Sequence, residues 1–85
     1  MIRTAIVEDD QIYQNQLSIY ISRYGKEHGE KFDISVFSDG YDIVEHYNGN
    51  YDIIFLDIQM EHMDGMEAAR KIRKLDENVI LIFIT

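Results

Sequence analysis

Apolar positions along the chain follow two patterns, and together these predict the order of its elements. Short runs rich in β-branched and aromatic residues predict strands at 2–7, 32–37, 51–57 and 79–85. Between these runs, apolar residues at helical spacing predict helices that begin at Gln11, near Tyr41 and just after Asp64. Regular alternation of strand and helix predicts a parallel sheet with right-handed crossovers and helices on both faces.

The first and third predicted helices each carry an apolar face that should pack on the sheet. Asp10 is placed to cap the first helix and Gly29 to end it. Asp64 and Glu67 have the spacing of a capping box at the start of the third helix. The residues expected on the buried faces are Tyr13, Leu17, Tyr20, Ile21 and Tyr24 in the first helix, and Met66, Ala69, Ile72 and Leu75 in the third.

The third predicted strand ends in a carboxylate. Its four consecutive apolar residues, 53–56, favour a strand buried on both faces, and Asp57 follows directly. The carboxyl end of a central parallel strand is where open α/β sheets bind ligands. An isolated aspartate more often simply ends a strand, so the interpretation of Asp57 depends on what else the fold brings to that edge.

The first strand also ends in acids, at Glu8, Asp9 and Asp10. If the strands take the doubly wound order 2-1-3-4, the first and third strands are neighbours and their acids share one pocket. Carboxylates that close together are costly without a cation, and Mg²⁺ prefers oxygen ligands of this kind. A carboxylate beside Mg²⁺, such as Asp57, can act as a nucleophile toward a phosphoryl group.

Composition limits the partners and the compartment. The 85 residues allow one small domain, and 16 acidic against 8 basic residues give a net charge of −8. Direct binding of nucleic acid by this segment is therefore not expected, because phosphate contacts need clustered Lys and Arg. There is no Cys, no signal-peptide pattern and no apolar run of membrane-spanning length, so we expect a cytoplasmic protein without a membrane partner.

Several motifs together resemble the receiver domain of bacterial response regulators. They are VEDD after the first strand, FLDIQM and MDGMEAARKIR around the third, and FIT at the end of the fourth. The resemblance implies a flavodoxin-like fold in which Asp57 accepts a phosphoryl group from a sensor histidine kinase. It further implies that Glu8, Asp9, Asp57 and the backbone carbonyl of Gln59 hold Mg²⁺, and that Thr85 is the residue that senses the phosphoryl group.

The segments YDIIFLDIQM, IRKLDENV and FIT are most similar to receivers attached to LytTR-type DNA-binding domains. That similarity implies a downstream DNA-binding output domain. Two departures from the family pattern stand out: Glu61 replaces a common Pro, and the Lys expected at the end of a fifth strand has no counterpart in 1–85. We therefore expect residues 1–85 to be an incomplete receiver domain, truncated after the fourth strand, that is poorly phosphorylated.

Two other functional classes remain open. A pseudo-receiver would keep the fold as an interaction module without the chemistry. A Mg²⁺-dependent phosphatase with an aspartyl nucleophile would need a general acid two residues after Asp57, where this chain has Gln59. The leading expectation is thus a phosphoacceptor switch rather than an enzyme. The uncovered fourth strand also predicts association between copies through 79–85.

Overall fold

The computed structural model describes residues 1–84, which form one parallel sheet flanked by three helices. The elements are β1 Ile2–Val7, α1 Gln11–His28, β2 Phe32–Phe37, α2 Gly40–Glu45, β3 Ile53–Asp57, α3 Gly65–Leu75 and β4 Ile80–Ile84. The strand order is β2-β1-β3-β4. The predicted fold, a flavodoxin-like doubly wound sheet with order 2-1-3-4, is therefore confirmed.

The register of the sheet aligns the ends of β1 and β3. Val7 at the end of β1 lies beside Leu56, and Asp57 at the end of β3 lies beside Ile84 in β4. Because all four strands are parallel, the loops that follow them leave from the same edge. That edge carries the acids that the sequence singled out.

The main core lies between one face of the sheet and helices α2 and α3. Helix α3 contributes Ala68, Ala69 and Ile72, all of them buried. Met66 and Leu75 were predicted to be buried too, but they are 43% and 61% exposed. Met66 precedes Ala68 by two residues and so projects from the opposite side of the helix, while Leu75 lies in the last turn. The buried cluster consists of Ala5, Val7, Ile43, Ile54, Leu56, Met63, Ala68, Ala69, Ile72 and Val79.

Helix α1 packs on the other face of the sheet, and only part of its predicted buried face is buried. Ile21 is buried as expected, and Gly25 is buried as well, at a position where a Cβ would lie only 2.6 Å from the Glu30 carbonyl oxygen. The predicted tyrosines are instead exposed, at 61% for both Tyr13 and Tyr20 and 53% for Tyr24. The tyrosines stay exposed because little covers the sheet beside them, where Tyr20 and Tyr24 line a groove with Ile53 and Phe55.

The face of β3 and β4 beside α1 is only partly covered. Tyr20 and Tyr24 border an apolar groove with Ile53 and Phe55. In β4, Ile80 is 54% exposed. Apolar side chains thus remain accessible on one half of this face.

The predicted helix boundaries hold where a cap defines them. Asp10, Asp39 and Asp64 are the N-caps of α1, α2 and α3, and each accepts a hydrogen bond from a backbone N–H in the first turn. Gly29 ends α1 in the left-handed conformation, with φ of 68°. Among residues 1–84, no helix is long and apolar enough to cross a membrane.

Candidate functional site

Three carboxylates meet at the carboxyl edge of the sheet. Glu8 and Asp9 follow β1, and Asp57 ends the neighbouring strand β3. One oxygen from each of these side chains lies within 4.8 Å of the others. We call Glu8, Asp9 and Asp57 the acidic site.

The members of the acidic site differ in burial and in local hydrogen bonds. Glu8 and Asp57 are each 8% exposed, whereas Asp9 is open to solvent. The Glu8 Oε2 atom accepts a hydrogen bond from the Asp10 backbone N–H at 3.1 Å. Asp57 Oδ1 accepts one from the Gln59 backbone N–H at 3.3 Å. Backbone donors therefore orient the two buried carboxylates.

The surroundings of Glu8 favour its protonated form. Burial, which disfavours the charged carboxylate, raises the pKa of Glu8 from its ordinary value of 4.5 to about 7. The hydrogen bond from the Asp10 N–H opposes this rise, while the neighbouring Asp9 and Asp57 carboxyl groups add to it. The acidic site without a cation thus holds a proton near neutral pH.

The donor set suits a hard divalent cation. Carboxylate oxygens are the ligands that Mg²⁺ and Ca²⁺ prefer, and Mg²⁺ usually takes only one or two of them together with waters and phosphate oxygens. A cation among Glu8, Asp9 and Asp57 would also relieve the repulsion between these carboxylates, which adds to the rise that burial causes in the pKa of Glu8. The residues present therefore fit a Mg²⁺ site.

The acidic site opens into a cavity of about 490 Å³. The three carboxylates and Gln59 line this cavity, so Gln59, which was predicted to be a Mg²⁺ ligand, lies at the same cavity. Tyr13, Leu17, Tyr20 and Ile84 make the rest of the lining largely apolar, and Gln16 adds one amide. Asp10 also borders the cavity but caps α1, as expected. Thr85, the remaining predicted residue, lies outside the described residues.

A glycine that the sequence did not single out as functional determines how closely α3 approaches the site. A Cβ on Gly65 would lie 2.1 Å from the backbone oxygen of Asp57. The Gly65 N–H also donates to the Ile58 carbonyl at 2.8 Å. Only glycine permits this contact, which holds the start of α3 against the residue that ends β3.

A second contact joins two loops at the same edge. His62, in the loop before α3, places Nδ1 3.1 Å from an oxygen of Asp39, the N-cap of α2. Nothing in the spacing of these residues indicates the pair, because it depends on how the two loops come together. The His62 side chain is 67% exposed, so the pair is a weak tether between the loops.

The sequence profile of the response regulator receiver domain matches residues 4–85. The chain belongs to this family, whose members are the receiver domains of two-component signalling systems. Transcriptional regulatory protein YpdB of Escherichia coli K12 is 34% identical to it over 84 residues, which are 98% of this chain and 33% of that protein. Sensory transduction protein LytR of Staphylococcus saprophyticus is 31% identical, covering 98% and 32%. The chain spans about a third of the length of these relatives.

Solved structures with the same fold include response regulators bound to a phosphoryl mimic. Response regulator TrrA from Thermotoga maritima, crystallised in complex with Mg²⁺-BeF, matches with a TM-score of 0.85 and 27% identity. The match covers 98% of this chain and 68% of TrrA. A chain of the CheX-CheY-BeF₃-Mg²⁺ complex from Borrelia burgdorferi matches with a TM-score of 0.76 and 28% identity, covering 96% and 60%.

Proposed function

We propose that this receiver domain is a phosphoacceptor switch in which Asp57 takes a phosphoryl group from a sensor histidine kinase. The observation that carries the proposal is the acidic site itself. Glu8, Asp9 and Asp57 bring carboxylate oxygens within 4.8 Å of one another at the edge where parallel sheets bind ligands. A repulsive cluster of this kind is easiest to understand as a site that a cation completes.

The transfer uses the Asp57 carboxylate as the nucleophile. One of its oxygens attacks the phosphorus of the donor phosphohistidine; a P–O bond forms, the P–N bond breaks, and the imidazole nitrogen keeps the electron pair. The Gln59 N–H orients the carboxylate by binding Oδ1. The close contact between Gly65 and the Asp57 backbone holds the start of α3 against the site.

Mg²⁺ is the proposed cofactor. Glu8, Asp9 and Asp57 would hold it through their carboxylates and Gln59 through its backbone carbonyl, as the resemblance to receiver domains implies. Bound Mg²⁺ would neutralise charge that the carboxylates and the incoming phosphoryl group bring together. Thr85 is proposed, from the same resemblance, to sense the phosphoryl group.

The output of the switch is proposed from the relatives. YpdB is named a transcriptional regulatory protein and LytR a sensory transduction protein, and the chain spans about a third of each. We propose that residues 1–85 are the incomplete receiver part of a cytoplasmic regulator whose downstream domain, of the LytTR type, binds DNA. The net charge of −8 favours control of that domain without direct contact between these residues and DNA.

Mg²⁺-dependent binding of beryllofluoride, a phosphoryl mimic, tests the proposal. We expect saturable binding by ¹⁹F NMR, lost in Asp57→Asn and retained in Asp33→Asn, which changes an exposed aspartate at the other end of the sheet. Binding that survives Asp57→Asn would refute the assignment of the nucleophile. A version extended through the next strand separates two further cases. Binding by the extended form alone would make residues 1–85 an incomplete switch, and binding by neither would favour a pseudo-receiver.

The phosphatase alternative has a separate test. Gln59 stands where an aspartyl-nucleophile phosphatase needs its general acid, and an amide cannot deliver that proton. We therefore expect no multiple-turnover hydrolysis of a phosphate monoester in the presence of Mg²⁺. Turnover that disappears in Asp57→Asn would show that the domain acts as an enzyme on external substrates.

A further inference from the structure

Helix α1 buries a polar side chain directly behind the acidic site. Gln14 is 9% exposed, although its helix leaves most of its other polar residues in solvent. A buried amide has to be hydrogen-bonded to offset the loss of its hydration. The partners of Gln14 therefore indicate why an amide stands at this position.

Both partners of the Gln14 amide belong to loops at the carboxyl edge of the sheet. Nε2 donates to the backbone carbonyl of Glu8 and to Ser38 Oγ, the latter at 3.2 Å. The Glu8 backbone N–H donates in turn to the Phe37 carbonyl at 3.0 Å. The backbone of Glu8 is thus held on one side by the end of β2 and on the other by α1.

The amide suits this position better than other side chains of similar size. The Gln14 NH₂ group has two hydrogens for two acceptors, the Glu8 carbonyl and the Ser38 hydroxyl. A Glu there would direct an oxygen at the Glu8 carbonyl and add charge beside the acidic site. A Met would fill the volume but leave a buried carbonyl without this donor.

We infer that Gln14 is a positioning residue for the cation site, acting through the peptide that joins Glu8 to Asp9. That peptide carries the carbonyl that Gln14 binds, and its two flanking side chains are two of the three carboxylates of the acidic site. Fixing the carbonyl limits rotation of the peptide and so limits the positions of both carboxylates. This inference rests on the proposed function, since it concerns Mg²⁺ binding at the same site.

The expected effect is on affinity for Mg²⁺ itself. Removing a hydrogen-bond partner behind a metal ligand typically weakens metal binding by about 10- to 100-fold. Gln14 acts through a backbone carbonyl rather than on a ligand atom, so we expect the lower end, about 10-fold, for Gln14→Met. Ser38→Ala removes one of the two amide contacts and keeps the one to Glu8, so about threefold is expected for a single hydrogen bond.

The experiment is a titration of the 85-residue chain with Mg²⁺ alone, in which NMR chemical shifts report binding. Urea unfolding is measured on the same samples. Asn15→Met is the matched control, because Asn15 is the exposed neighbour of Gln14 on the same helix. We expect Gln14→Met to weaken Mg²⁺ binding about 10-fold and Asn15→Met to leave it unchanged. The dissociation constant, measured on folded protein, is a readout that a purely structural role would not move.

Each outcome separates the inference from the function on which it rests. If the unsubstituted chain does not bind Mg²⁺, the proposed cation site fails, whatever Gln14 does. If that chain binds and folded Gln14→Met binds equally well, Gln14 only stabilises the fold and the inference is wrong. If Gln14→Met does not fold, Ser38→Ala decides: weaker Mg²⁺ binding supports the inference, and an unchanged dissociation constant overturns it.

Discussion

Glu8 carries a carboxyl group whose protonation depends on whether the chain is folded. Burial and the nearby Asp9 and Asp57 carboxyl groups favour the proton, so the folded protein keeps it to higher pH than the unfolded chain does. The acidic site is therefore a source of instability at neutral pH when no cation is bound. This cost is specific to one side chain and can be removed by one substitution.

The first prediction concerns pH. The pKa of the Glu8 carboxyl group is 4.5 in an unfolded chain and about 7 in the folded protein. Between pH 4.5 and about 7 the folded protein therefore binds more protons than the unfolded chain does. Its contribution to stability is therefore full below pH 4.5 and is lost as the pH rises through about 7. In metal-free buffer the free energy of unfolding of the unsubstituted protein should fall by about 3 kcal/mol across this window because of Glu8, and Glu8→Gln should abolish that fall. Urea unfolding at several pH values measures it; parallel pH profiles for both proteins would contradict it.

The second prediction concerns the glycine that contacts the Asp57 backbone. A Cβ at residue 65 meets backbone atoms of Asp57 and Ile58 that cannot move without shifting the end of β3. We expect Gly65→Ala to lower the free energy of unfolding by about 1–3 kcal/mol and to impair Mg²⁺-dependent binding of beryllofluoride. Urea unfolding and ¹⁹F NMR measure the two effects.

Gly29→Ala is the control for that experiment. Gly29 has φ of 68° but no atom within 4 Å of an added Cβ, and it lies at the end of α1. Alanine there should cost about 1 kcal/mol through its left-handed conformation. It should leave beryllofluoride binding unchanged in the folded protein. Loss of binding in both variants would mean that instability, rather than the contact at Asp57, is responsible.

At the scale of elements, the sequence predicts the existence and order of strands and helices better than the faces on which they pack. Strands are visible as apolar runs, and capping residues such as Asp10 and Gly29 mark the ends of α1. In α1 the buried residues are Gln14, Ile21 and Gly25, and periodicity identified only Ile21. The tyrosines border sheet residues but stay exposed, because periodicity does not reveal how much of the sheet is covered.

The residues of the candidate site were likewise predictable only in part. Its carboxylates were predictable because each ends a strand, and the strand order places those ends together. Gly65 and Gln14 were missed as contributors because their roles arise from how a helix packs against the end of a strand, which the residue pattern does not show. A glycine just after an N-cap is a weak signal, and a glutamine in a helix normally indicates a solvent-exposed position.

The third prediction concerns the link between the segment after α2 and the end of α3, where Asp76 is the C-cap. The Tyr47 hydroxyl donates to Asp76 at 2.6 Å, and Asp76 also accepts from the backbone N–H groups of Asn78 and Val79. Burial, together with the Asp76 carboxylate, raises the pKa of Tyr47 well above its usual range, so the hydroxyl stays a donor. We expect Tyr47→Phe to lower the free energy of unfolding by about 1–2 kcal/mol in urea.

Tyr41→Phe provides the comparison for this link. Tyr41 lies in α2, just before the segment that carries Tyr47, and its side chain is 51% exposed. Loss of its hydroxyl should change stability by less than about 0.5 kcal/mol. An equal effect of the two substitutions would mean that the bond to Asp76 contributes nothing specific.

At the scale of the whole molecule, the partly covered face beside β4 is the main liability of residues 1–84. On this face of β4, Ile80 and Ile82 are 54% and 38% exposed, and β4 is an edge strand of the sheet. Phe83, on the other face of the strand, is 40% exposed. An exposed apolar edge can pair with another copy. The net charge of −8 opposes such association, so its strength should increase with salt.

The fourth prediction is self-association of the 85-residue chain. We expect the weight-average mass in sedimentation to rise with protein concentration, and Ile82→Lys to suppress that rise by placing a charge on the exposed edge strand. Val36→Lys is the matched control, because Val36 is 45% exposed in β2, the strand at the other edge. A compact monomer at every concentration would contradict the prediction.

The contact of Gly65 with the end of β3 has a further consequence for how this domain can vary. The hydrogen bond from the Gly65 N–H to the Ile58 carbonyl closes the intervening loop into a ring whose two ends are fixed. Residues such as Gln59 and Glu61 within it are exposed. Insertions beside Glu61 can therefore lengthen the ring outward while Asp57 stays in place. The same closure makes this loop the place where an inserted peptide should disturb the position of Asp57 least.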